Sequence, residues 1–225
     1  MIQYPKAFIF DLDGVITDTA EYHYLAWKKL AESLGIMIDR EFNEQLKGVS
    51  RIESLERILS LKPELLDMPV EEKEKLATKK NEHYKELINQ VTPEDILPGI
   101  QKLLDDIKSH NIKIALGSAS KNAEFVINRL GLKNYFDYIV DAAKIKKGKP
   151  DPETFTIAAD YFGFEYRECI GVEDSAAGIE AINKAQMFSV GVGDRDHLSD
   201  ADYLLSDTDD LNFDLIIEKY ISNHK

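Results

Sequence analysis

One cysteine, Cys169, stands among 225 residues, so no disulfide can close within the chain. A lone thiol fits a reducing compartment, and a cytoplasmic location is expected. No apolar run approaches the roughly 18 residues a membrane-spanning helix needs, so no membrane partner is expected. Residues 1–6 lack the basic-then-apolar pattern of a secretory signal. Cations are outnumbered: 28 lysines and arginines against 41 aspartates and glutamates give a net charge of −13. Such a chain repels nucleic acid phosphates, and no nucleic-acid partner is expected. There is no internal repeat, no low-complexity tract and no linker rich in glycine or serine.

What is present is ordinary for a globular protein: 44% hydrophobic and 31% charged residues. The length suits one large domain, or a core domain with a small one inserted. Residues 6–10 form a short, mostly apolar run that stops at Asp11-Leu12-Asp13-Gly14. A continuous apolar run predicts a strand covered on both faces, as in a parallel sheet. From 19 to about 91 the pattern is helical. Tyr22, Leu25, Ala26, Leu30 and Leu34 recur at helix spacing, as do Ile52, Leu55, Ile58 and Leu59. The charged run 71–75 predicts a solvated helix face.

Beyond residue 96, strands alternate with helices. Strands are predicted at 112–116, 138–140, 169–172, 188–192 and 203–205. Helices are predicted at 99–109, 121–130, 152–162, 176–185 and from about 211. Alternation of this kind means a parallel sheet with helices on both faces. The fold class is therefore α/β, a Rossmann-like parallel sheet core with an inserted α-helical cap. The core is expected to comprise residues 1–18 and 92–225, and the cap residues 19–91.

Four groups of polar residues fall at or just beyond predicted strand ends, the edge where open α/β sheets bind ligands. In extended chain, Asp11 and Asp13 face the same way. Paired carboxylates repel unless a cation lies between them or one holds a proton. A hard cation such as magnesium suits them. One carboxylate could attack a phosphoryl group and the other could serve as general acid and base. Glu173 and Asp174 end another strand and would complete an oxygen shell, although Asp174 or Ser175 could equally cap the next helix. Ser118, Ser120, Lys121 and Asn122 lie at a strand-to-helix turn, where hydroxyls, N–H groups and a helix start favour anions. Lys149 precedes Pro150 and could offset the carboxylates. By itself it could also be part of an exposed basic loop with Lys144, Lys146 and Lys147. Cys169, inside a strand, reads as an inert core thiol. His83, His110, His197 and His224 show no site context.

Together these four groups resemble the motifs of the haloacid dehalogenase superfamily: 10–15, Ser118, Lys149 and 173–174. A closer resemblance, to its β-phosphoglucomutase family, covers nearly the whole chain. It rests on residues 11–23, 45–51 and 118–122. Gly117 departs from it, standing where alanine is more usual.

The resemblance implies Mg2+ as cofactor, held by Asp11, Asp13, Glu173 and Asp174, and catalytic roles for Asp11, Asp13, Ser118 and Lys149. Asp11 would be the nucleophile and Asp13 the general acid and base. Thr19 and His23 would hold Asp13 and the hinge. Lys47, Gly48, Val49, Ser50 and Arg51 would contact a sugar and its idle phosphate from the cap. Lys80 would touch Asp13 or the sugar, and Trp27 and Leu46 would pack around the substrate. Ala119, Ser120, Lys121 and Asn122 would complete the substrate contacts. The Lys149–Pro150 bond is expected to be cis.

The activity implied interconverts β-glucose 1-phosphate and glucose 6-phosphate through phosphorylated Asp11 and a 1,6-bisphosphate. The expected partner is a small phosphorylated sugar, and a monomer is expected. One alternative is a sugar-phosphate or phosphoglycolate phosphatase of the same fold. Another is a catalytically silent binding protein, against which the intact motif residues argue.

Overall fold

The structure is a computed structural model describing residues 4–47 and 49–223. Among them, six strands form one sheet: β1 (Ala7–Phe10), β2 (Lys113–Leu116), β3 (Tyr138–Ile139), β4 (Cys169–Glu173), β5 (Phe188–Val192) and β6 (Tyr203–Leu205). Their order is β3-β2-β1-β4-β5-β6 and every neighbouring pair is parallel. The four residues of β1 are 0% exposed, as the unbroken apolar run requires. Side chains alternate between faces. Phe8 and Phe10 enter one core layer with Ile114, Leu116, Ile170 and Val172. Ala7 and Ile9 enter the other with Ala115 and Cys169.

Helices cover both layers. On the Phe8 face lie residues of α5 (Ile100–Ser109), α6 (Ala123–Arg129) and α10 (Phe213–Asn223). On the Ile9 face lie α7 (Glu153–Phe162) and α8 (Ala176–Lys184), and the short α9 (Arg195–Leu198) adds Leu198. The helix expected from 121 begins instead at Ala123. Ser118 Oγ accepts from Ser120 N at 3.1 Å and Ser120 Oγ from Asn122 N at 3.3 Å. Those side-chain bonds hold the segment in turns rather than helix.

Between β1 and α5 run α1 (Ala20–Ser33), α2 (Arg40–Glu44), α3 (Arg51–Leu59) and α4 (Val70–Ile88). They enclose their own apolar cluster around Trp27, Leu30, Leu55, Ile58 and Leu59. Burying each such large side chain is worth about 1.5–3 kcal/mol. Two members of the helical repeats point outward: Leu25 is 38% and Ile52 44% exposed. The buried stripe of α1 is Tyr24, Ala26, Trp27, Leu30 and Ala31. Tyr84, Ile88 and Val91 instead join the main core, so the last turns of α4 root the helical segment in the sheet domain.

The two connections between segment and sheet run side by side. Thr17 bridges Ile96 in antiparallel fashion. Thr17 Oγ1 donates to Asp95 O at 2.7 Å, and Leu97 N donates to Ile16 O at 3.0 Å. This crossing supports the proposal that residues 19–91 form a cap on a domain of 1–18 and 92–225.

Candidate active site

Central β1 delivers its C-terminal residues between those of β2 and β4. Asp11 N donates to Val172 O at 2.9 Å, which fixes the carboxylate at the sheet edge. Lys149 comes from the loop before α7 and is 1% exposed. Its Nζ donates to Asp11 Oδ1 at 2.6 Å and also to Glu173 Oε1. The Lys149–Pro150 peptide is cis. Burial alone would lower the Lys149 pKa, but the Asp11 and Glu173 charges outweigh it and hold the ammonium above its ordinary value.

Glu173 is fully buried, and its Oε2 accepts from Ser175 N at 2.7 Å and Ser175 Oγ at 2.8 Å. The capping role left open in the sequence falls to Ser175, whose Oγ accepts from Gly178 N at 3.1 Å. Asp174 is thereby free to face the site. Carboxylate oxygens of Asp11, Glu173 and Asp174 lie within 4.8 Å of one another. Burial pushes the Asp174 carboxyl well above the usual range, and the charges of Glu173 and Asp11 push it further. Such a group takes a proton or a cation. Three clustered oxygen ligands fit a hard divalent ion.

The Asp13 side chain does not join this cluster. β1 ends at Phe10 and the chain bends at Leu12, so the strand rule no longer applies. Thr19 Oγ1 donates to Asp13 Oδ1, and Asp13 Oδ2 lies 3.9 Å from His23 Nε2. Both side-chain oxygens are thus turned toward α1. Burial, and next the Asp11 charge, push the Asp13 carboxyl up to about 8. Burial also raises Asp11, but the Lys149 ammonium opposes it and the value stops at about 6. Of the two carboxyls, Asp13 therefore holds a proton more readily than Asp11. Environments that divide two neighbouring carboxyls in this way suit the two to different parts in acid–base chemistry.

Asp13 is held from the helical segment by a chain of contacts. Tyr84 OH donates to Thr19 Oγ1 at 3.3 Å. Lys80 Nζ lies 2.7 Å from His23 Nδ1 and sits over the rings of Trp27 and Tyr84 at 4.7 and 4.8 Å. Burial, and next the charge of Arg51, hold Lys80 well below the usual lysine value. Burial likewise depresses His23, which is therefore neutral. His23 Nε2, which has no hydrogen-bond partner among the described residues, is the ring nitrogen that faces Asp13.

A cavity of about 850 Å³ lies between sheet edge and helices. Asp11, Asp13, Ser118 and Lys149 open onto it, as do His23, Trp27, Leu46, Lys47, Val49, Ser50, Arg51, Lys80, Ala119, Ser120 and Lys121. Ser50 caps α3 by accepting from Glu53 N at 3.2 Å, which sets Arg51 at the helix start. Lys146 and Lys147 join the lining, so part of the basic loop faces inward. The cavity is cationic in a chain of net charge −13.

Two expected substrate contacts, Thr19 and Asn122, are placed otherwise. Thr19 is fully buried behind Asp13. Asn122 Nδ2 donates to Asn81 Oδ1 at 2.9 Å, a buried bond joining α4 to the turn before α6. Gly48 lies outside the described residues. Lys47 lines the cavity but pairs with Asp174 and Glu44 at 3.7 and 3.0 Å. Sequence reasoning missed Tyr84 and Asn81. The available signal was their placement on α4, where Tyr84 follows Lys80 by four residues and so shares its face.

The sequence profile of the haloacid dehalogenase-like hydrolases matches residues 5–186. The chain belongs to that family. Among other family members, a β-phosphoglucomutase of Bacillus subtilis is 48% identical over 215 residues, covering 96% of this chain and 95% of that protein. A phosphorylated carbohydrates phosphatase of Thermotoga maritima is 31% identical, covering 80% and 81%. The crystal structure of a Clostridium difficile β-phosphoglucomutase superposes with a TM-score of 0.96 at 53% identity, covering 98% of this chain and 99% of that one. No helix among the described residues is long and apolar enough to cross a membrane.

Proposed function

We propose that the protein interconverts β-D-glucose 1-phosphate and D-glucose 6-phosphate through phosphorylated Asp11 and a 1,6-bisphosphate. The observation that carries this reading is the attachment of Asp13, the acid and base, to α1 through Thr19. Proton transfer is then tied to the position of the cap, and so to a bound sugar rather than to water. Likeness to the Bacillus subtilis and Clostridium difficile β-phosphoglucomutases supports the same activity.

Asp13 in its ionised form takes the proton of the sugar 6-hydroxyl while that oxygen attacks phosphorylated Asp11. The P–O bond to Asp11 breaks and the 1,6-bisphosphate forms. After the bisphosphate turns over, Asp11 attacks the phosphorus at position 1. The departing C1 oxygen then receives the proton from Asp13, giving glucose 6-phosphate. Lys149 and Ser118 stabilise charge on the transferred group, and Arg51 holds the idle phosphate. Mg2+, held by Asp11 and Asp174 with Glu173 beside them, would supply further neutralisation of that charge when bound. The single thiol supports a cytoplasmic location.

Product analysis tests the proposal. With β-glucose 1-phosphate, magnesium and a trace of bisphosphate, glucose 6-phosphate should greatly exceed inorganic phosphate. The α anomer should be a poor substrate, because its phosphate projects differently from the ring. Inorganic phosphate and free sugar as main products would replace this reading with a phosphatase.

A further inference from the structure

Lys47 comes from the cap, just beyond α2, yet its ammonium reaches the carboxylate cluster of the sheet domain. Its Nζ is 3.7 Å from Asp174 Oδ2. Among the described residues, no other cap cation forms an ion pair with Asp11, Glu173 or Asp174. The pair is sheltered, with side-chain exposures of 28% for Lys47 and 13% for Asp174, so screening by solvent is incomplete.

The position is a partition. Lys47 and Asp174 line the large cavity and also a second one, of about 320 Å³, bounded by Gly14, Asp194 and Asp207. Lys47 also has somewhere to go, because Glu44 Oε2, three residues earlier, already lies 3.0 Å from Nζ. An ammonium leaving Asp174 keeps a partner.

Charge decides what happens when a divalent ion arrives. The three carboxylates, taken as ionised, are opposed within the sheet domain by Lys149 alone. Lys47 reduces the remaining negative charge in part, whereas a divalent ion cancels it fully. Both together would leave the cluster positive.

We infer that Lys47 is a displaceable counter-ion, holding the cap to Asp174 in the cation-free protein and giving up that carboxylate when a divalent cation binds. The inference rests on the reading of Asp11, Glu173 and Asp174 as the cation site. Cation binding and cap contact are then linked reciprocally: the ion loosens the latch, and the latch weakens the ion.

The test uses the full chain, stripped with chelator and without substrate, titrated calorimetrically with Mg2+. Lys47→Gln keeps the stem but removes the charge, and should bind Mg2+ roughly five-fold more tightly than the parent. Asp174→Asn should lose most of the affinity. Small-angle scattering of the cation-free proteins should give a larger radius of gyration for Lys47→Gln, with the parent expanding toward it on adding Mg2+. Unchanged or weaker binding by Lys47→Gln, with Asp174→Asn impaired, overturns the latch and leaves the cation site standing. Parent-like binding by Asp174→Asn overturns both. Tighter binding without any difference in scattering overturns the hold on the cap.

Discussion

Gly14 and Asp174 share one small volume: a Cβ built on Gly14 would lie 2.1 Å from Asp174 Oδ2. Gly14 also has φ +76°, the left-handed region that a side chain disfavours. The turn after β1 thus leaves room for a carboxylate from the turn after β4. Gly14→Ala should lower stability by about 1–2 kcal/mol from backbone strain. It should also weaken Mg2+ binding more than ten-fold, roughly, because Asp174 is displaced. Urea unfolding and calorimetry measure the two effects. Parent-like Mg2+ affinity would mean that Asp174 is not a ligand.

Asp11→Asn should abolish turnover and leave the fold intact. The amide has the same shape, still accepts from Lys149, and is not a competent nucleophile. Circular dichroism should match the parent, and radiolabelled phosphate should not transfer to the protein from a sugar phosphate. Turnover by a well-folded variant free of parent enzyme would remove Asp11 from the mechanism.

Arg51→Ala should harm mutase turnover far more than hydrolysis of a small phosphate ester. A charge-assisted clamp on the idle phosphate is worth on the order of 2–3 kcal/mol, and the small ester has no second phosphate to lose. Comparing kcat/KM for the two reactions separates the cases. Equal damage to both would assign Arg51 to the fold or the chemistry.

The Asp13 carboxyl should leave a mark on stability in cation-free protein. Its pKa rises from 3.8 to about 8 on folding, so the folded state binds a proton that the unfolded chain releases. The stability this proton confers is fully present below about pH 4 and is lost as pH climbs toward 8. Asp13→Asn cannot suffer that loss. Its melting temperature relative to the parent in chelator should therefore rise from pH 5 to pH 8 and then level off. A pH-independent difference would show that Asp13 does not hold its proton.

The sheet was legible because a strand covered on both faces is apolar at every position, and residues 7–10 satisfy that rule directly. Sites at strand ends were legible for the same reason: polar Asp11, Ser118 and Glu173 interrupt such runs or follow them. The Asp13 side chain was expected beside that of Asp11 because the two-residue repeat was carried past Phe10, where the strand stops. Tyr84 and Asn81 were missed because their partners, Thr19 and Asn122, lie 65 and 41 residues away. No local pattern encodes a contact at that separation. Gly117 has a reading only in three dimensions, since a Cβ there would lie 3.2 Å from Ile9 Cγ2. Alanine would fit tightly, and glycine relaxes the packing beside Ser118.

Thr17 and Ile96, paired where the chain leaves the sheet domain and returns to it, give the helical segment a single doorway. Whatever is spliced there must bring its two ends together and still cover the main core where Tyr84, Ile88 and Val91 now pack. Asp11, Lys149, Glu173 and Asp174 all lie outside the splice. Asp13 also lies outside, but it takes its restraint from Thr19 within. Exchanging the segment for another of different shape would therefore keep a working phosphoryl acceptor and reset only when, and for which molecule, its proton is released. One scaffold can in this way be refitted for many substrates by trading a single interchangeable part.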